Sequence, residues 1–92
     1  SLDISSSSTA NNLKTITRAS GFNSNTSIIV AAYGNNKLID VKFNSFVQGN
    51  DYTCEFKNNA ADITHVKAFA IDLGEGNLKP ITASKTVDNS SN

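Results

Sequence analysis

From residue 13 to residue 87, short segments rich in β-branched and aromatic side chains recur about every ten residues, each closed by Gly or Asn. No segment sustains a 3.6-residue hydrophobic period long enough for a helix of three turns, so helical folds are excluded as the main architecture. The recurrence predicts six strands: Leu13–Arg18, Thr26–Tyr33, Lys37–Val47, Asp51–Lys57, Thr64–Asp72 and Ile81–Val87. One short turn is expected at Asn59–Ile63. The fold class this implies is all-β: a small antiparallel β-sandwich of the immunoglobulin or fibronectin-like kind, with six to seven strands.

The hairpin at Asn35-Asn36 carries its own test, because register must bring the apolar residues of both strands onto one face. A two-residue turn pairs Ala32 with Ile39, Val30 with Val41 and Ile28 with Phe43. A three-residue loop would mix the faces. Asn tolerates the positive φ required at both centres of a type I′ turn, so the two-residue turn is preferred, with a four-residue loop of the same parity behind it. This register puts Ile28, Val30, Ala32, Ile39, Val41 and Phe43 inward, and turns Ile29, Ala31, Tyr33, Leu38, Asp40 and Lys42 the other way. Tyr52, Cys54 and Phe56 alternate with Thr53, Glu55 and Lys57, as in a sheet with one wet face. In the segment from His65 to Asp72 both faces carry apolar residues, which predicts a central, covered strand.

The 92 residues hold one domain and one modest core. The polar share of the chain is supplied by Ser, Asn and Thr more than by charge, the composition of a secreted or cell-surface protein. Residues 1–12 read as a linker or a short edge strand, 13–87 as the sandwich module and 88–92 as a second linker. Both polar tails are expected to add little stability. Eight basic and eight acidic side chains, scattered singly, give zero net charge and no footprint for nucleic acid. No apolar run reaches the length of a membrane helix, so membrane insertion is not expected.

Catalysis needs a nucleophile with its base, paired carboxylates or a metal cluster, and no such constellation is visible. Cys54 cannot form an internal disulfide and reads as core beside Tyr52 and Phe56; His65 is the one imidazole in the chain. Asp72 and Glu75, in the Gly-rich stretch Asp72-Leu73-Gly74-Glu75-Gly76-Asn77, are weak candidates for a calcium site, against the plainer reading of a turn. No metal and no cofactor is expected. Sugar-binding surfaces usually present aromatic platforms. The chain has no Trp, and Tyr33 and Phe46 are the weak candidates for such a platform. Phe46 shares the parity of Lys42 and Asn44 rather than of Phe43; a bulge turning it inward is the plainer reading.

The stretches Ile28-Ile29-Val30-Ala31-Ala32-Tyr33 and Lys37-Leu38-Ile39-Asp40-Val41-Lys42, followed by Val66-Lys67-Ala68-Phe69-Ala70-Ile71-Asp72 and Leu78-Lys79-Pro80-Ile81, resemble a repeat module of clostridial extracellular proteins. The resemblance covers roughly residues 26 to 84. Its motifs mark packing and turns. It implies a fibronectin- or immunoglobulin-like sandwich in a secreted multidomain protein, beside glycoside hydrolases, polysaccharide lyases or surface-layer anchoring repeats. One departure is Ile71, where many such modules carry Trp; it removes either a ligand contact or some packing area.

The expected function is therefore a non-catalytic accessory or spacer module that positions neighbouring domains or mediates contacts between them. The alternative is a carbohydrate-binding module of a plant-cell-wall-degrading enzyme. Its expected partners are neighbouring domains of the parent protein and, on the alternative, a polysaccharide.

Overall fold

A computed structural model describes residues 1–9, 11–57, 59–74, 80–82 and 84–89. Among them seven strands form: β1 (Leu2–Thr9), β2 (Asn12–Ala19), β3 (Thr26–Gly34), β4 (Lys37–Ser45), β5 (Asp51–Phe56), β6 (His65–Asp72) and β7 (Lys85–Asp88). A single 3-10 turn, Ala60–Asp62, lies between β5 and β6, inside the segment where a turn is expected from sequence. The strands make two antiparallel sheets, ordered β1-β2-β5 and β4-β3-β6-β7. The expected small all-β sandwich is the fold. Compared with the constant-type immunoglobulin arrangement, the fourth strand has left the sheet of the fifth and lies beside the third.

The core fills the space between the sheets. Leu2, Ile4, Leu13, Tyr52, Cys54 and Phe56 come from one sheet, and Ile28, Val30, Ala32, Val66, Ala68 and Ala70 from the other. Period-2 alternation is clean in β5, where Tyr52, Cys54 and Phe56 are buried and Asp51, Thr53 and Glu55 exposed. β6 is central, as its two apolar faces require. β2 differs, since its inward row includes Thr15 and Thr17, both fully buried with hydroxyls that have no hydrogen-bond partner.

Of the two readings of the amino-terminal stretch, linker or short edge strand, the structure has the strand. Its serines do not prevent strand formation: Leu2–Thr9 pairs along its whole length with β2, from Leu2 opposite Ala19 to Thr9 opposite Asn12. Leu2 and Ile4 are buried, and their alternation with Asp3 and Ser5 anchors a strand that the Ser run then continues. At the other end, Asp88 closes β7 and Asn89 is buried. The Asn89 side-chain amide donates to the carbonyls of Ala60 and Ile63 at 3.1 and 3.0 Å, tying the chain end to the 3-10 turn. The last strand is shorter than expected; Pro80 instead makes an isolated bridge to Ile71.

The β3–β4 hairpin has the expected two-residue turn, with Asn35 at φ 52° and Asn36 at φ 62°. Gly34 precedes it because an added Cβ there would collide with the carbonyl of Asp62. Beyond the turn the register departs from expectation. Tyr33 faces Leu38, but a β-bulge then inserts one residue of β4, so that Ala32 faces Asp40, Val30 faces Lys42 and Ile28 faces Asn44. A one-residue shift exchanges the two faces of a strand. Val41 and Phe43, assigned inward from sequence, therefore point out to the solvent side, and Phe43 is 69% exposed. Asp40, Lys42 and Asn44 turn toward the interior in their place.

Candidate functional site

The outer faces of the two sheets differ in kind. On the three-stranded sheet the cross-strand rows read Asp3–Arg18–Asp51, Ser5–Ile16–Thr53 and Ser7–Lys14–Glu55. This face is polar, and Arg18 Nε lies 3.5 Å from a carboxylate oxygen of Asp51. On the four-stranded sheet the rows read Phe43–Ile29–Phe69, Val41–Ala31–Lys67–Thr86 and Leu38–Tyr33–His65–Asp88. Here apolar and aromatic side chains run across three strands. Ile29 is 3% exposed between Phe43 and Phe69, while Phe43 and Leu38, at 69% and 55%, stand in water. The bulge in β4 creates this surface, because it supplies Val41 and Phe43 to the rows already begun by β3 and β6.

Tyr33 lies on this face, as expected. Its ring stacks on that of His65, with centroids 5.2 Å apart and planes 10° from parallel, and the Lys67 ammonium sits 5.5 Å from its centroid. The Thr64 hydroxyl lies 3.2 Å from the Tyr33 carbonyl and 2.9 Å from His65 Nδ1. The contact with the Thr64 hydroxyl helps to hold the imidazole against the Tyr33 ring. Lys67 has no carboxylate within ion-pair distance among the described residues.

Phe46, the other platform candidate, is not on this face. It is 6% exposed and packs edge-to-face on Phe22, with centroids 5.5 Å apart. It does share the parity of Lys42 and Asn44, but the bulge has turned that parity inward. Tyr33 and Phe46 are thus on opposite sides of the sheet; the ring beside Tyr33 is that of His65, and Phe43 and Phe69 flank Ile29 two rows further along the same face. Phe43 carried no signal in the sequence, since its alternation with Val41 and Val30 pointed to the core.

Asp72 ends β6, where its Oδ1 accepts the Gly74 backbone N–H at 2.8 Å, the geometry of a local turn. Glu75 lies outside the described residues. No group of three His, Cys, Asp or Glu side chains among the described residues could hold a metal ion.

A second feature is the open side of the sandwich, where the edge strands β4 and β5 leave a cleft of about 660 Å³ lined by Lys42, Asn44, Cys54 and Glu55 among others. Lys42 Nζ sits 3.6 Å from Asp40 and 5.6 Å from the centre of the Phe56 ring, so its stem covers the core edge while its charge is shared with a carboxylate. Burial raises the Cys54 thiol above its ordinary 9.0, against the opposing effects of the Asn44 side chain and the Lys42 charge. A raised pKa keeps the thiol protonated and unreactive. His65 belongs to the outer face of the other sheet, so the imidazole is not brought to Cys54. The opposite side of the sandwich is bridged by the Ser6 hydroxyl, which donates to the Asp88 carbonyl at 3.3 Å.

No helix of the described residues is long and apolar enough to cross a membrane. Comparison of the chain with protein-family models, with curated proteins and with solved structures finds no match.

Proposed function

We propose that this chain is a non-catalytic β-sandwich module of a secreted or cell-surface multidomain protein, and that it holds a neighbouring domain against the outer face of its four-stranded sheet. The observation that carries this reading is the inverted register of β4. Turning Phe43 and Val41 out and Asp40, Lys42 and Asn44 in reverses the ordinary preference of these side chains. Leaving a Phe exposed forgoes about 1.5 to 3 kcal/mol of burial in the isolated module. A covering partner restores that burial. The face measures roughly 400 Å² from strand spacing and rise. That is small for a free dimer but in keeping with contacts between tethered domains. Lys67, in the middle of the face and with no carboxylate at ion-pair distance among the described residues, favours a partner surface that is apolar and carries a carboxylate.

The test is made in the parent protein. Phe43→Lys together with Leu38→Lys should loosen the module from its neighbour, seen as a larger radius of gyration in solution scattering and faster proteolysis between the domains. The circular dichroism of the isolated module should stay the same. Unchanged scattering and proteolysis with both lysines in place would refute the docking face.

Carbohydrate binding draws on the same cluster of aromatic side chains. The Tyr33 ring, however, is engaged by His65 and Lys67 rather than lying open for a sugar. The module is therefore expected to migrate equally in affinity gels with and without soluble plant polysaccharides. Retention lost in Tyr33→Ala and Phe43→Ala variants that remain folded would replace the docking reading with the sugar-binding one.

A further inference from the structure

The free edge of β5 matches itself, and we infer that it is a pairing site for a second copy of this chain, joining two three-stranded sheets into one of six strands. The hydrogen-bond parity of the sheet can be read from its first pair. Ser1 and Ser20 exchange two backbone bonds, with the Ser20 N–H donating to the Ser1 carbonyl at 3.0 Å and the Ser1 backbone nitrogen to the Ser20 carbonyl at 2.9 Å. Antiparallel ladders alternate bonded and non-bonded pairs, so the even-numbered residues of β2 bond β1 and the odd-numbered ones bond β5. Thr15 opposite Cys54 and Thr17 opposite Tyr52 are then bonded pairs. The backbone groups of Asp51, Thr53 and Glu55 are left pointing out from the sheet, where no strand of the described residues pairs with β5.

An antiparallel copy of β5 must bond through the same odd-numbered residues. Centred on Cys54, the pairing sets Thr53 opposite Glu55 of the second copy and Asp51 opposite its Lys57, each twice by symmetry. Four such pairs form, each exchanging two hydrogen bonds. Between them Tyr52 faces a second Phe56, an aromatic cross-strand pair. Centring on Thr53 would oppose Asp51 to Glu55, and centring on Glu55 would oppose that carboxylate to itself. Of these three registers charge favours the one centred on Cys54.

The other edges are less suited. β4 carries the bulge and inward-facing charges, both devices that discourage edge pairing. β7 has four residues. β1 has Asp3 as its one ionisable side chain and offers no pair of opposite charges. β5 has no bulge, no Pro and no inward charge, and the cleft on its side keeps the edge of the second sheet from covering it.

Sedimentation equilibrium on the full chain tests the pairing. A concentration-dependent dimer is expected, with a dissociation constant below about 1 mM. Asp51→Lys alone and Lys57→Asp alone should each weaken it about tenfold, and the two changes together should restore it, because the cross-strand charges are then exchanged rather than opposed. In the unaltered chain, the Thr53 and Glu55 amides should exchange with deuterium more slowly at high protein concentration than at low. A chain that stays monomeric to about 1 mM, single reversals without effect, a double variant that is not restored, or edge amides whose exchange ignores concentration would each overturn the inference.

Discussion

Phe43 and Phe56 are two phenylalanines with opposite duties, and substitution separates them. Phe43→Ser in the isolated module should change unfolding free energy by less than about 1 kcal/mol, because the ring is already in water. Phe56→Ala should cost about 3 to 5 kcal/mol, since that ring is fully buried at the centre of the core. Chemical denaturation of both variants checks the register of β4, and a large loss from Phe43→Ser would put that residue back inside. Thr15 offers the reverse effect. Its buried hydroxyl has no partner, so Thr15→Val, of nearly the same shape, should stabilise by about 1 kcal/mol. A destabilised Thr15→Val would mean that the hydroxyl is bonded in solution. Cys54 sets a pH dependence. Its thiol pKa is raised in the folded state, so the folded protein holds this proton more tightly than the unfolded chain does. That contribution is complete below pH 9.0 and is lost as pH rises past it through the folded value. The stability of the native chain should therefore fall more steeply above that pH than that of Cys54→Val, and equal slopes would contradict the burial.

β1 is the element on which composition and structure disagree most. A Ser-rich stretch has the makeup of a linker, and on that reading its removal would leave the thermal midpoint in place. The strand instead buries Leu2 and Ile4 and covers one edge of β2. Deleting residues 1–9 should remove on the order of 4 kcal/mol from those two side chains alone. The thermal midpoint should then fall by about 15 °C or more, or cooperative unfolding should be lost. A midpoint within a few degrees of the full chain would return the segment to a tail. The signal for a strand was present in Leu2 and Ile4, spaced two apart, but two residues are too few to outweigh the serines that follow. β4 shows the converse. Its turn was legible in Asn35-Asn36, since only a few residue types accept positive φ twice in succession. Its bulge was not. An extra residue in a strand is set by how two sheets twist and meet, and the alternation of Ile39, Val41 and Phe43 argued for a regular ladder.

The sequence by itself determined the class of the molecule: strand number to within one among the described residues, the turn of the central hairpin, the buried face of β5 and the central position of β6. Each follows from a pattern within a single strand or turn, where side-chain period and backbone preference act over a few residues. Tertiary structure alone decided which side of β4 faces the core, that Phe46 packs on Phe22 rather than beside Tyr33, and that β1 belongs to the fold. It also decided where the candidate contact face lies, because that face is made by aligning β3, β4 and β6 in one register. The physical reason is common to all of these. A strand's period of two labels its faces as alternate, but which label is inside is settled by pairing with neighbours distant in the chain, and one inserted residue reverses the answer.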